Sequence, residues 1–114
     1  MIIEKTYPVK ASEPVFKGHF PDNPILPGVM LLSFIKATLH DTLGGSVSLI
    51  SIDKQKFIKP VTPDCEIKVS CKVRDIEKSN YYLTADCTVS TDEGLVTKLR
   101  ASFYCSVLPA CEAV

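Results

Sequence analysis

The segment from Val29 to Leu43 constrains the fold of this chain more than any other. It is mostly apolar, interrupted by polar residues such as Ser33, Lys36, Thr38, His40 and Asp41. Its length suits a helix, and Gly44-Gly45 supplies a C-terminal stop. A helix that is apolar over most of its circumference is buried. The rest of the chain must therefore wrap around it.

The downstream sequence supplies the wrapping. Ile67, Val69, Cys71 and Val73 alternate with Lys68, Ser70, Lys72 and Arg74. Tyr81, Leu83, Ala85, Cys87 and Val89 alternate with polar partners, and Leu95, Leu99, Ala101, Phe103, Cys105 and Val107 share one parity. A period of two marks half-buried strands. Turns are expected at Val61–Asp64, Glu77–Asn80 and Thr91–Gly94. Val47–Lys59 reads as a longer strand with a less regular alternation, and Ile2–Val9 as a weakly patterned N-terminal strand. The expectation is an antiparallel meander with one apolar face on one helix, an α+β domain.

Composition narrows the function classes. At 114 residues and 46% hydrophobic content the chain makes one globular domain, 1–114, with 108–114 expected to fray. So small a domain has little core to hollow out, and an apolar pocket is easier to build between two copies. Thirteen basic residues balance thirteen acidic ones, which argues against nucleic acid as a partner. The longest apolar run, Val29–Leu32, is far short of the ~20 residues of a membrane span, so no membrane association is expected. Met1–Lys5 lacks the pattern of a secretion signal, and the expected location is cytoplasmic. The five cysteines show no CxxC spacing and no nearby His, so no metal site is expected. Cys71, Cys87 and Cys105 are expected as reduced core residues.

The chemistry concentrates in Gly18–Gly28, where Pro21, Pro24 and Pro27 stiffen an extended loop. This loop places His19 just ahead of a helix start at Gly28. The first N–H groups of a helix have no intrahelical partner and sit at the positive end of its dipole. Gly28 has no side chain to keep a substrate oxygen from that N–H. A titratable imidazole beside such a donor is half of a proton-abstraction site. The ring takes a proton α to a carbonyl, and the N–H holds the charge that develops on the carbonyl oxygen. The alternative for His19 is a hydrogen-bonded loop residue.

Gly18-His19-Phe20-Pro21, Pro24 and Pro27-Gly28-Val29 resemble the signature loop of the β-hydroxyacyl-acyl carrier protein dehydratases of fatty-acid synthesis. Glu13-Pro14-Val15-Phe16 resembles the family's lead-in, and Asp53–Asp64 its strand-and-turn segment. The likeness covers most of residues 1–107. It implies the hotdog fold, a curled antiparallel sheet around one long helix. It also implies dimers joined through a continuous sheet, with active sites in apolar tunnels between subunits. By the same resemblance His19 is the base, and the Gly28 N–H binds the thioester carbonyl. The family's acid is a Glu or Asp five residues after that glycine, supplied by the partner subunit; here the position is Ser33. A Gln four residues further on is here Ala37. Phe20, Pro27, Val29, Met30 and Phe34, with Ile25 and Leu26, are expected to line the acyl site. No cofactor is implied.

Loss of a positioned acid matters, because hydroxide is a poor leaving group; it costs ~10²–10⁴ in rate, roughly 3–5 kcal/mol of barrier. His40 shares a face with Ser33 but lies two turns away, ~10 Å. His40 and Asp41 read as a helix C-terminal turn, and Asp22 as a turn residue, a group that orients His19, or an acid if burial raises its pKa. The function implied is 3-hydroxyacyl thioester dehydration, with acyl carrier protein and a second copy of the chain as partners. A non-catalytic acyl-binding or accessory subunit and an acyl thioesterase are the alternatives. Lys54, Lys56, Lys59, Lys68, Lys72 and Arg74 either help an acidic carrier dock or form an ordinary solvated strand face.

Overall fold

The computed structural model describes residues 1–10, 28–62 and 64–108. Strand β1 (Ile2–Val9) is followed by helix α1 (Gly28–Leu43) and then by β2 (Val47–Phe57), β3 (Cys65–Glu77), β4 (Tyr82–Thr91) and β5 (Gly94–Cys105). All pairings are antiparallel, in the spatial order β1-β3-β4-β5-β2. Only β3-β4-β5 is the expected meander; β1 and β2 close the two edges. The Glu77–Asn80 turn contains a short 3₁₀ segment, Lys78–Asn80.

The period-two residues form the core. Ile67, Val69, Val73, Leu83, Val89, Ala101 and Phe103 are fully buried, and on the helix so are Ile35 and Leu39. Cys71, Cys87 and Cys105 are buried free thiols, with Cys71 directly opposite Cys87 across β3 and β4. Burial raises the Cys105 thiol pKa to about 11. The Cys87 thiol is also raised, by its hydrogen bond with Cys71 and then by burial.

The sheet covers one face of the helix, rather than all of it. Leu31, Ile35, Thr38 and Leu39 point into the core, whereas Ser33 and His40 are exposed and Met30, Lys36 and Ala37 half-buried. Truncating the inward face is costly: Ile35→Ala should lower unfolding free energy by about 2–5 kcal/mol in a denaturant titration. A change below 1 kcal/mol would mean that the helix is not seated on the sheet in solution.

Strand β2 explains its own irregular pattern. It is an edge strand with two register shifts against β5, between Leu49 and Ser51 and between Ile52 and Lys54. Ile50 is passed over at the first shift and lies 52% exposed, whereas Ile52 sits opposite the buried Ala101, on the edge strand, and stays 38% exposed.

Candidate active site

Three contacts with β1 fix the helix that carries the candidate site. The Tyr7 hydroxyl, on β1, hydrogen-bonds the buried Thr38 hydroxyl at 2.9 Å, and Thr38 donates to the Phe34 carbonyl at 2.8 Å. The Tyr7 and Phe34 rings pack with centroids 4.9 Å apart. Lys5 pairs with Asp41 near the helix C-terminus, and its hydrogen bond holds the Asp41 carboxyl below the usual range.

Gly44 ends the helix in the left-handed region, at φ +83°, and its N–H donates to the His40 carbonyl at 2.7 Å. A Cβ on Gly45 would collide with the Ser106 side chain and come within 3.0 Å of the Val107 nitrogen. His40 also hydrogen-bonds the Gly45 carbonyl through Nδ1. His40 and Asp41 are thus engaged at the helix C-terminus, as the turn reading expects.

The helix begins at Gly28, where the Gly28 N–H has no acceptor within the helix. Ser33 is exposed one and a half turns on, outside the core. Met30 and Phe34 are half-buried and pack against the edge of the core. Phe34 is therefore partly committed to the β1 side of the helix, through Tyr7. His19, Phe20, Pro27, Asp22, Ile25 and Leu26 lie outside the described residues, as do the tail from Pro109 and the side chain of Val29.

The basic residues separate into two groups. Lys59 donates to the Glu93 carbonyl at 2.7 Å, Lys68 lies 3.5 Å from Glu4, and Arg74 is 2.9 Å from Asp86. Lys54 and Lys56 face Arg100 and Lys98 across the β2–β5 ladder. The sequence reading missed Lys98 and Arg100, because their place beside Lys54 and Lys56 depends on a register that two bulges reset. Arg100 also reaches Asp86, at 2.9 Å. Burial works to raise the Asp86 carboxyl, but the hydrogen bonds from Arg100 and Arg74 outweigh it and hold the group below its ordinary pKa.

A depressed carboxylate stabilises the fold above its unfolded pKa, and that contribution is lost as pH falls through the folded value. Asp86→Asn should therefore flatten the stability profile below about pH 4 and cost about 1 kcal/mol at neutral pH, a modest effect for a half-exposed pair. An acid limb identical to that of the unmodified protein would remove Asp86 from the account.

Among the described residues, no helix is long and apolar enough to cross a membrane, and no cluster of three His, Cys, Asp or Glu residues is arranged to hold a metal.

One helix seated in a curled five-stranded sheet of order β1-β3-β4-β5-β2 defines a hotdog domain. The dehydratase heterocomplex ApeI:P from Xenorhabdus doucetiae is a solved example with this fold. It superposes with a TM-score of 0.71 at 20% identity, over 90% of this chain and 87% of that one. Residues 2–94 match the ApeI-like family, described as ApeI dehydratase, and the chain belongs to this family. It is 36% identical over 103 residues to the 3-hydroxyacyl-[acyl-carrier-protein] dehydratase FabZ of Sulfurovum sp. strain NBC37-1, covering 79% of this chain and 68% of that protein. It is 41% identical over 104 residues to the FabZ of Methylobacterium radiotolerans, covering 82% of this chain and 65% of that protein. The function is accordingly dehydratase-like, of the hydro-lyase class.

Proposed function

We propose that two copies of this chain together dehydrate 3-hydroxyacyl thioesters, carried on an acyl carrier protein, to trans-2-enoyl thioesters. One observation carries the reading: the family match over residues 2–94 runs through the whole His19–Gly28 loop and the helix behind it. The His19 imidazole takes the α-proton. Its electron pair becomes the Cα–Cβ double bond, the Cβ–O bond breaks, and the hydroxyl leaves with a proton as water. The Gly28 N–H carries the charge that builds on the thioester oxygen. Ser33 stands where the departing hydroxyl is protonated. A serine does not ionise near neutral pH, so its role is to hold a water that relays to the departing hydroxyl the proton His19 has taken.

The second copy supplies what one subunit lacks. Among the described residues β2 is a long edge strand without an outer neighbour, with exposed Ile50 and Ile52, suited to antiparallel pairing with its own copy. In this reading such pairing covers the helix face bearing Met30, Ser33 and Ala37, and each site draws its base from one subunit and its Ser33 position from the other.

Ser33 itself supports a second reading, an acyl-binding accessory subunit without chemistry of its own. Incubation of the purified protein with a 3-hydroxyacyl carrier-protein thioester separates the two. Enoyl thioester is the expected product. Free carrier thiol would indicate a thioesterase, and neither product together with retained acyl binding would indicate the accessory role.

A further inference from the structure

One row of side chains crosses the inner face of the sheet from edge to edge. Ile3, Cys71, Cys87 and Leu99 stand directly opposite one another from β1 to β5, and all four are buried. The row ends on β2 with Gln55, directly opposite Leu99. Directly opposed residues of an antiparallel pair share a face, so the Gln55 side chain points inward with the others. The row calls for an apolar residue at that place. Gln55 is instead a half-buried amide, without a hydrogen-bond partner among the described residues. Other inward polar side chains are engaged: Thr97 donates to the Lys56 carbonyl at 2.8 Å, Tyr7 bonds Thr38, and Lys5 pairs with Asp41.

Gln55 also comes level with the start of the helix. Only residues 44–46 separate α1 from β2, and β2 runs back alongside the helix. From Val47 to Gln55 the strand rises ~26 Å, less the two bulges, and from Leu43 back to Gly28 the helix rises ~22 Å. The inward neighbours of Gln55 along β2 are Ile52, opposite the buried Ala101, and Phe57, opposite the buried Thr97. Both face the side of the sheet that is core elsewhere, yet they are 38% and 59% exposed. The helix of the same subunit therefore leaves an apolar strip uncovered at this end, with one amide in its middle. An unbroken apolar surface laid over that strip would strand the amide, at a cost in stability. A chain that is apolar except for a single hydroxyl complements it.

We propose that Gln55 is a substrate-binding residue whose side-chain N–H donates to the 3-hydroxyl oxygen of the acyl thioester, with Ile52 and Phe57 against the acyl carbons on either side. This rests on the dehydratase reading for the identity of the ligand, while the unpartnered amide on the apolar strip is independent of it. An amide does not ionise, so Gln55 supplies no proton. It holds the Cβ–O bond in place, eases charge onto the departing oxygen and favours hydroxylated over saturated chains. Ser33 and Ala37 on the helix carry no amide, so this donor comes from the sheet.

The test reads ligand preference apart from turnover. The full chain carrying His19→Ala, which stops turnover in the dehydratase reading, is titrated with 3-hydroxyoctanoyl-pantetheine and with octanoyl-pantetheine. The hydroxylated ligand should bind about three- to tenfold more tightly, the worth of one hydrogen bond. Adding Gln55→Leu should abolish that preference and leave octanoyl-pantetheine binding unchanged or tighter. Gln55→Met, closer in shape, should do the same. Neither substitution should lower the melting temperature, since each removes an unpartnered amide from an apolar face. Equal weakening of both ligands, a preference that survives both substitutions, or no preference at the outset would overturn the assignment. So would a fall in melting temperature in both variants, which would give Gln55 to the fold or to the second copy. Turnover by the protein with His19 intact keeps the two claims separable. If it forms no enoyl product, but the preference is present and lost with Gln55, the assignment stands and the dehydratase reading fails. If enoyl forms equally fast with and without Gln55→Leu and the preference is unchanged, dehydration stands and the assignment falls.

Discussion

Ser33→Glu should raise the dehydration rate by about 10²–10⁴, the usual contribution of a positioned general acid. The position is favourable for the change. Ser33 is exposed on a single subunit, so the longer side chain displaces no core residue. Glutamate is also a good helix former, at home near a helix N-terminus. In the proposed dimer the new carboxyl would be buried in an apolar site, which would raise its pKa and favour the protonated form needed for donation. The gain should appear in kcat, since the acid acts on the bond that breaks. An unchanged rate in a folded variant would show that the departing hydroxyl receives its proton from another direction.

His19→Ala should have the opposite effect, lowering enoyl formation by about 10²–10⁴ or to the detection limit. Acyl binding should persist, because the Gly28 N–H and the apolar helix residues remain. His19→Ala combined with Ser33→Glu should recover nothing, since an acid has no role until the α-proton has been taken. Dehydration that survives His19→Ala would move the base elsewhere and leave the loop with a purely structural part.

Most of the fold was legible because its signals are local. The alternation Ile67-Val69-Cys71-Val73 requires one buried sheet face whatever the topology, and Gly44 marks the helix end because only a residue at ease with positive φ fits there. The spatial positions of β1 and β2 at opposite edges are a non-local fact, and no run of residues encodes them. The exposure of Ile50 was hidden for the same reason, since the shift that passes it over arises only when β2 meets β5. The wrapping expectation went too far at Ser33 and His40. Composition makes the helix look buried all round, but the sheet of one subunit covers a single face, and the remainder is what a second subunit covers in the proposed assembly. The chemistry expected of His19 falls outside the described residues, and of the His19–Gly28 pattern the structure describes only the helix start at Gly28. The Lys54–Arg100 and Lys56–Lys98 oppositions needed the register.

The central claim is a dehydration site built from two chains, with the base from one and the helix position of Ser33 from the other. Co-purified mixed dimers test it most directly. One subunit is unmodified, and its differently tagged partner carries both His19→Ala and Ser33→Glu. The account predicts enoyl formation well above that of either parental dimer, because one of the two sites combines an intact imidazole with the introduced carboxyl. A mixed dimer no faster than half the unmodified dimer would contradict it.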